Sequence, residues 1–313
     1  MSISDPAGTH DAPVRVAVVG PTASGKSAVA MQVARDAAAV HLVSVDSMQV
    51  YRGMDIGTAK PTPDDRRLVP HHCLDLVDAT DEFTVADFRR AYRAALASVA
   101  EAGSAALLVG GTGLYHRVVI DDFDLPGEWP DVRAALEADQ DTTALHGRLA
   151  VLDPVAAAKI EPSNRRRTVR ALEVTIGSGR PFSSFGPGVD HYPSSPVVQI
   201  GISRPRPVIA EAIERRVHQM FADGLVAEVA ALHARGFSRS AGQALGYKET
   251  VEHLEGAISK DEAIEKIVVR TRQFAVRQER WFRRDPRVRW IVVEEDPVAE
   301  VAPIVLDALH DPA

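Results

Sequence analysis

The stretch that most limits how this chain can fold runs from Gly20 to Ser27. It reads Gly-Pro-Thr-Ala-Ser-Gly-Lys-Ser and fits the phosphate-binding loop (P-loop) pattern G-x-x-x-x-G-K-[ST]. A short β-branched run, 14–19, precedes it, and a helix-forming stretch, 28–39, follows it. Glycines let successive backbone N–H groups face one anion, and the N-terminus of the next helix adds partial positive charge. The sequence therefore predicts a strand, a phosphate-binding loop and a helix.

The chemistry of the loop side chains suggests particular roles. We expect Lys26 to contact terminal phosphate oxygens and Ser27 to place its hydroxyl on a Mg²⁺ ion that bridges them. A glycine-rich turn that only closes a sheet needs neither the lysine nor the hydroxyl. The predicted diphosphate-binding residues are Gly20, Pro21, Thr22, Ala23, Ser24, Gly25, Lys26 and Ser27. This motif, common in ATP-binding proteins, indicates a polyphosphate ligand but does not indicate a reaction.

The rest of the chain predicts an α/β fold, a P-loop NTPase-like parallel sheet flanked by helices. Apolar runs alternate with helical patterns, which favours a parallel sheet with right-handed crossovers. Further strands are predicted at 41–45, 105–109, 197–202 and 287–293. Helices are predicted at 85–102, 207–235 and 262–284.

The alternation stops after Ile120, and acidic residues, prolines and glycine collect at 121–131. From about 131 to 175 the pattern is wholly helical, and 177–195 is rich in Gly, Pro and Ser, as expected of a loop. We therefore expect a small all-helical insertion. The predicted regions are a flexible N-terminal tail, 1–12, a catalytic core, 13–122 with 196–313, and a helical insertion domain, 123–195.

Composition excludes several classes of protein. Hydrophobic residues make up 45% and charged residues 25%, as in ordinary globular proteins, and no apolar run is long enough to cross a bilayer. The first dozen residues lack the apolar stretch of a secretory signal, so we expect a cytoplasmic protein without membrane contact. The single cysteine, Cys73, cannot form an internal disulfide and is expected to be a packed side chain. The scattered histidines do not suggest a metal site built from protein ligands.

Charge is uneven along the chain. The net charge of −7 argues against a general nucleic-acid coat, because phosphate binding needs a positive surface. Arginines nevertheless collect at 165–170 and again at 270–289. These two places are candidate sites for a polyanion.

Asp46 follows the second predicted strand, and the carboxyl ends of strands in an open α/β sheet share one crevice with the P-loop. One interpretation is a carboxylate that takes a proton from a nucleophile, with Ser47 and Gln49 hydrogen-bonding a base edge. The other is that Asp46 caps a helix that follows it. The residues alone do not decide between them. Because the strand at 105–109 ends in Gly-Gly-Thr-Gly instead of the Mg²⁺-binding Asp of ATPases and GTPases, hydrolysis is disfavoured.

An ordered set of motifs across most of the chain resembles the tRNA dimethylallyltransferases, also called tRNA isopentenyltransferases. The longest is Asp-Ser-Met-Gln-Val-Tyr-Arg-Gly-Met-Asp-Ile-Gly-Thr-Ala-Lys-Pro at 46–61. The others are the P-loop at 20–27, Gly-Gly-Thr-Gly-Leu-Tyr at 110–115, Arg-Ala-Leu-Glu-Val at 170–174, Gly-Tyr-Lys-Glu at 246–249 and Thr-Arg-Gln-Phe-Ala at 271–275. Val276 stands where the family commonly has a lysine, so one basic contact is in question.

The resemblance implies that the P-loop holds dimethylallyl diphosphate, with Mg²⁺ as the cofactor. The acceptor would be N6 of the adenosine immediately 3′ of the anticodon in tRNA. Asp46 would accept the N6 proton, Thr22 and Thr112 would hydrogen-bond Asp46 or the diphosphate, and Arg216 would help to stabilise the departing charge. The protein would act as a monomer.

The same resemblance implies a surface that binds the anticodon stem-loop of tRNA. Its members would come from the loop after the second strand, from the helical insertion and from the segment near residue 246. They are Asp46, Ser47, Met48, Gln49, Thr112, Arg133, Arg166, Arg167, Thr168, Val169, Arg170, Gln243, Gly246, Tyr247 and Lys248.

Two other functions fit a P-loop. A nucleoside or nucleotide kinase also needs a P-loop and an acid near the second strand, but it has no need of two arginine-rich surfaces. An ATPase that serves as an interaction module would hydrolyse ATP without any acceptor.

Overall fold

The computed structural model describes residues 14–123, 125–186 and 188–310, so the predicted tail at 1–12 lies outside it. The described chain forms two compact units. One comprises the described residues up to Ile120 and from Ser194 onward, and the other is Asp121–Pro193. These boundaries fall two residues before the predicted ones.

The larger unit contains a six-stranded sheet in which every neighbouring pair is parallel. This confirms the predicted α/β class. The strands are β1 (Val14–Val19), β2 (Val40–Val45), β3 (His71–His72), β4 (Ala105–Gly110), β5 (Val198–Ser203) and β6 (Val288–Val292). Their order across the sheet is β3-β2-β4-β1-β5-β6, so β4 lies between β1 and β2.

Nine helices of the larger unit are α1 (Lys26–Asp36), α2 (Pro63–Leu68), α3 (Val85–Glu101), α4 (Gly113–Ile120), and, after the helical unit, α9 (Arg206–Ala222), α10 (Leu225–His233), α11 (Tyr247–Leu254), α12 (Lys260–Phe282) and α13 (Pro297–His310). The prediction of one helix over 207–235 was wrong. Gly224 has φ 104°, a left-handed conformation that ends α9 and separates it from α10.

Helices cover both faces of the sheet, which explains why its strands read as continuous apolar runs. On one face α1 and α13 pack Val29 and Val305 against Val18 of β1. On the other face Phe88 of α3 and Ile267 of α12 belong to the core cluster that includes Ala17, Val43 and Leu108. The sequence did not predict α13, whose pattern is interrupted by Pro303.

The smaller unit is helical, with α5 (Pro130–Ala138), α6 (Thr142–Leu152), α7 (Pro154–Lys159) and α8 (Arg165–Ser178). Its own core contains Leu136, Leu149 and Leu172 from three of these helices. Asn164 begins α8 by accepting a hydrogen bond from the amide of Arg167, 3.2 Å away. A 3₁₀ turn at Phe182–Phe185 lies within the segment predicted to be a loop.

Cys73 provides a test of the core of the larger unit. Its side chain is buried, as expected, and burial raises the pKa of the thiol to about 12. Because the thiolate is the reactive form, we expect the folded protein to resist Ellman's reagent at pH 8 and to react with one equivalent after denaturation. Rapid stoichiometric reaction of the folded protein would show that this part of the core is open.

Candidate active site

Three loops meet at the carboxyl edge of the sheet because their strands are neighbours. Val19 of β1 and Val45 of β2 both lie beside Gly110, the last residue of β4. A Cβ on Gly110 would stand 2.1 Å from the carbonyl oxygen of Val45, so only glycine allows this approach. The P-loop, the loop after β4 and the loop that begins at Asp46 therefore share one edge, as predicted.

The P-loop backbone is shaped to face an anion. Gly20, Ala23 and Gly25 all have positive φ, and Gly25 precedes the first residue of α1. A Cβ on Gly25 would lie 2.5 Å from Cγ of Pro297, the first residue of α13. The hydroxyl of Ser24 is buried and has no hydrogen-bond partner within the described chain. An unpaired buried hydroxyl in this loop fits a site for phosphate oxygens.

Two cations border the loop. Nζ of Lys26 donates to the carbonyl oxygen of Pro21 at 3.1 Å, and a guanidinium nitrogen of Arg216 on α9 donates to Oγ1 of Thr22 at 2.9 Å. Burial and the charge of Arg216 lower the pKa of Lys26 to about 8, while Asp46 opposes that shift. Thus Lys26, Arg216 and Asp46 lie close enough to interact, which is the proximity that the family resemblance implied for Arg216.

Asp46 organises its own loop and still presents a carboxylate. One oxygen accepts from the amide of Met48 at 2.8 Å and, more weakly, from that of Gln49 at 3.4 Å. The alternative, a cap on a following helix, is wrong, because no helix directly follows Asp46 and the carboxylate instead holds the turn at 47–50. The side chain is partly exposed, and within the described chain no hydrogen bond occupies its second oxygen. The same carboxylate can therefore hold the turn and accept a proton.

Thr112 connects the loop after β4 to the loop that contains Asp46. Its Oγ1 accepts from the amide of Ser47 at 3.1 Å and donates to Oγ of Ser47 at 3.4 Å. Its own amide points at the carbonyl oxygen of Val45, 3.4 Å away. In this structure its hydrogen bonds go to the neighbour of Asp46 and not to Asp46 itself.

The 46–61 segment is anchored by a carboxylate on α10 that the sequence did not single out. Glu228 of α10 accepts from the amides of Asp55, Ile56 and Gly57 at 3.1, 2.8 and 3.2 Å. It also accepts from the hydroxyl of Tyr247 at 2.6 Å. One carboxylate thus fixes three consecutive backbone groups of the segment.

Lys60 secures the other end of the segment. Its ammonium is fully buried and lies 2.7 Å from the carbonyl oxygen of Tyr51 and from carboxylates of Asp55 and Asp75. The side-chain amide of Gln49 is also occupied, since it accepts from Ser44 at 2.8 Å and donates to the carbonyl oxygen of Thr58 at 3.2 Å. Gln49 would have to give up these bonds to read a base edge.

Several predicted tRNA contacts lie inside the protein. Tyr247 and Thr168 are fully buried, Val169 is 4% exposed, and Gly246 is buried. The side chains of Tyr247, Thr168 and Val169 therefore offer no surface to RNA in this conformation. Contact of these positions with tRNA stays a prediction.

The predicted RNA-binding arginines differ from one another. Arg166 and Arg167 are exposed on α8, as a contact surface requires. Arg133 and Arg170 instead pair with Glu173, which is fully buried, at 3.4 and 2.9 Å. Their charges are partly used to neutralise that carboxylate. On the larger unit Gln243 is exposed, while Lys248, Ser47 and Met48 are partly exposed.

The large apolar side chains of α12 differ in burial. Ile267 is buried, but Phe274 and Trp281 are partly exposed. The ring of Trp281 lies against Gly113, where a Cβ would meet it at 2.2 Å. Gln278, one turn earlier, is buried and contacts both the P-loop and the loop after β4.

Fold and site together define an α/β enzyme in which a P-loop-like turn, bordered by two cations, lies beside a carboxylate. The chain belongs to the IPP transferase family, whose family model matches residues 49–285. This confirms the resemblance seen in the sequence. Within the described residues no helix is both long and apolar enough to cross a membrane.

Curated and solved relatives agree with this assignment. A tRNA dimethylallyltransferase of Thermobifida fusca is 49% identical over 88% of this chain and 89% of its own. Another, of Kineococcus radiotolerans, is 48% identical over 94% of this chain and 96% of its own. The crystal structure of a tRNA isopentenylpyrophosphate transferase from Bacillus halodurans is similar with a TM-score of 0.68 and 38% identity, covering 95% of this chain and 97% of that one.

Deprotonation of Lys26 should weaken anion binding at alkaline pH. Its ammonium is present below a pKa of about 8 and is lost above it, and the protonated form is the one that attracts an anion. We expect the Kd for pyrophosphate, measured by calorimetry, to rise above pH 8 by up to ~10-fold per unit relative to Lys26→Arg, which keeps its charge. Parallel pH profiles for the two proteins would show that Lys26 does not titrate in this range.

Gly57 tests the support of the 46–61 segment. A Cβ at this position would lie 2.4 Å from the ring of Tyr247, so Gly57→Ala should lower the free energy of unfolding by ~1–3 kcal/mol. The matched control is Gly147→Ala in α6, where a Cβ has open space. Guanidinium denaturation of both variants measures the difference, and equal stability of the two would contradict the packing described.

Proposed function

We propose that this protein transfers a dimethylallyl group from dimethylallyl diphosphate to N6 of the adenosine immediately 3′ of the anticodon in tRNA, releasing diphosphate. The observation that carries the proposal is the P-loop, with Lys26 and Arg216 beside it, at the same sheet edge as the carboxylate of Asp46. Relatives named tRNA dimethylallyltransferase support it, since they match about nine-tenths of the chain at nearly half identity.

The P-loop side of the site suits a departing diphosphate. As the bond between allylic C1 and the diphosphate oxygen breaks, negative charge grows on that oxygen, and preorganised donors stabilise it. The loop amides, the hydroxyl of Ser24 and the ammonium of Lys26 are such donors. Arg216 adds positive charge through its bond to Thr22.

A Mg²⁺ ion fits this arrangement only as a partner of the diphosphate. The described residues contain no cluster of three or more His, Cys, Asp or Glu side chains that could hold a metal ion. The hydroxyl of Ser27 is exposed at the start of α1 and would be the ligand from the protein. When bound with diphosphate oxygens, Mg²⁺ would neutralise part of the charge on the leaving group.

The Asp46 side of the site suits the acceptor. The adenine N6 amine gains a bond to C1 and must lose a proton, and the second oxygen of Asp46 can receive it. The adenosine must first be unstacked from the anticodon loop, which costs a few kcal/mol that contacts with RNA have to offset. Exposed Arg166, Arg167 and Gln243 and partly exposed Lys248 are the candidates for those contacts. A monomer in the cytoplasm is part of the same proposal and rests on the family resemblance.

Loss of the Asp46 carboxylate should slow transfer by at least ~100-fold, the low end of the contribution of a general base. The assay uses purified protein, Mg²⁺, dimethylallyl diphosphate and unmodified tRNA, with mass analysis of the nucleosides. Asp46→Ala is compared with Asp64→Ala, which removes a carboxylate from the exposed surface of α2. Normal prenyl transfer by Asp46→Ala would overturn the assignment of the base.

The donor separates the proposed transferase from the kinase and the ATPase. Side-by-side reactions contain either ATP or dimethylallyl diphosphate. We expect the tRNA to gain the mass of a dimethylallyl group when dimethylallyl diphosphate is the donor. We expect no hydrolysis of ATP, because the loop after β4 lacks the carboxylate that hydrolases place there. Phosphate transfer or ATP hydrolysis without prenylation would contradict the proposal.

A further inference from the structure

Gln278 of α12 links the two halves of the site through one side-chain amide. Its Oε1 accepts from the amide of Thr22 in the P-loop at 2.8 Å, and its Nε2 donates to the carbonyl oxygen of Gly111 after β4 at 2.9 Å. The side chain is 6% exposed. We propose that Gln278 is a positioning residue for the transfer reaction, setting the separation between the diphosphate loop and the loop that orients Asp46. This inference rests on the proposed function.

Each end of the link continues to a group of the reaction. At the P-loop end, Oγ1 of Thr22 accepts from Arg216 at 2.9 Å. At the other end, Thr112 follows Gly111 in the chain, and its Oγ1 accepts from the amide of Ser47, the residue after Asp46, at 3.1 Å. Gln278 is thus the connection between the cation side and the carboxylate side.

A glutamine is suited to this place because its amide offers one acceptor and two donors on a single rigid plane. The acceptor meets an N–H group and a donor meets a carbonyl oxygen, so the reverse orientation would satisfy neither. The bond to Gly111 is buried and the bond to Thr22 is partly buried, so breaking the link leaves the buried carbonyl oxygen of Gly111 unpaired. A methionine has similar volume but lacks both functions.

The helix that carries Gln278 presses directly on the loop. A Cβ on Gly111 would lie 2.4 Å from Nε2 of Gln278, and a Cβ on Gly113 would lie 2.2 Å from Cδ1 of Trp281. Gln278 and Trp281, one turn apart on α12, therefore pack directly against the backbone of Gly111 and Gly113, the two ends of the Gly-Thr-Gly loop. A rigid helix holds a loop more accurately than the loop can hold itself.

Loss of the link should affect the rate more than donor binding. The P-loop amides and Lys26 remain in Gln278→Met, so diphosphate still has its donors. The carboxylate and the reacting carbon lose their alignment, and a misplacement of ~1 Å can cost ~100-fold in rate. We expect kcat for prenyl transfer to fall at least ~10-fold while the Kd for pyrophosphate changes less than ~3-fold.

The experiment compares Gln278→Met with Gln273→Met, the same substitution at an exposed position of α12. A second variant, Gly111→Ala, reaches the link from its other end, because the added Cβ displaces the amide of Gln278. Gly111→Ala should show the same fall in kcat, and it supplies the kinetic test if Gln278→Met does not fold. Hydrogen exchange of the Thr22 amide should speed up in both variants and stay unchanged in the control.

The inference is overturned if a folded Gln278→Met keeps wild-type kcat, if kcat and pyrophosphate binding fall together, or if the Thr22 amide exchanges at the wild-type rate. Failure of the proposed function gives a different result. In that case the wild-type protein does not prenylate tRNA, whereas exchange at Thr22 and pyrophosphate binding still report whether the link exists.

Discussion

The position of β4 between β1 and β2 is the constraint on which the site depends. It places the loop after β4 between the P-loop and Asp46, and Gly110 lets the strands approach without a side chain in the way. The cations Lys26 and Arg216 then lie near the carboxylate of Asp46 at the carboxyl edge of the sheet. Lys26 is held near two partners of opposite effect, since Arg216 lowers its pKa and Asp46 raises it. A polyphosphate bound there would relieve the crowding of the two cations.

Much of the structure around the site serves to hold its loops still. Glu228 binds three amides of the 46–61 segment, and Lys60 neutralises two carboxylates within and beside that segment. Tyr247 fills the space that Gly57 leaves. In the helical unit, Glu173 plays a similar part by pairing with arginines and accepting from the amide of Trp129. Some residues of the family motifs therefore lie at the candidate active site, and others hold its loops in place.

Sequence patterns predicted the features that depend on local order, and missed those that depend on distant pairs. The P-loop, the central strands and the place of Asp46 follow from short runs of residues. The partners Glu228 and Gly57 lie 171 positions apart, and Gln278 and Gly111 lie 167 apart, so no local pattern joins them. The sequence held one signal for each pair. Gly57 and Tyr247, which contact each other beside Glu228, both lie in family motifs, and Gln278 is a polar residue in a long helix that carries apolar side chains. A buried polar side chain implies a partner, even when the sequence does not name it.

The proposed reaction requires the anion site of the P-loop and the carboxylate of Asp46 to face the same reacting carbon. A crystal structure with Mg²⁺ and a non-reactive thio analogue of dimethylallyl diphosphate tests it most directly. We expect the diphosphate on the amides of the P-loop, Ser27 on the metal ion, and C1 turned toward the free oxygen of Asp46. A diphosphate bound elsewhere, or a C1 directed away from that carboxylate, would contradict it.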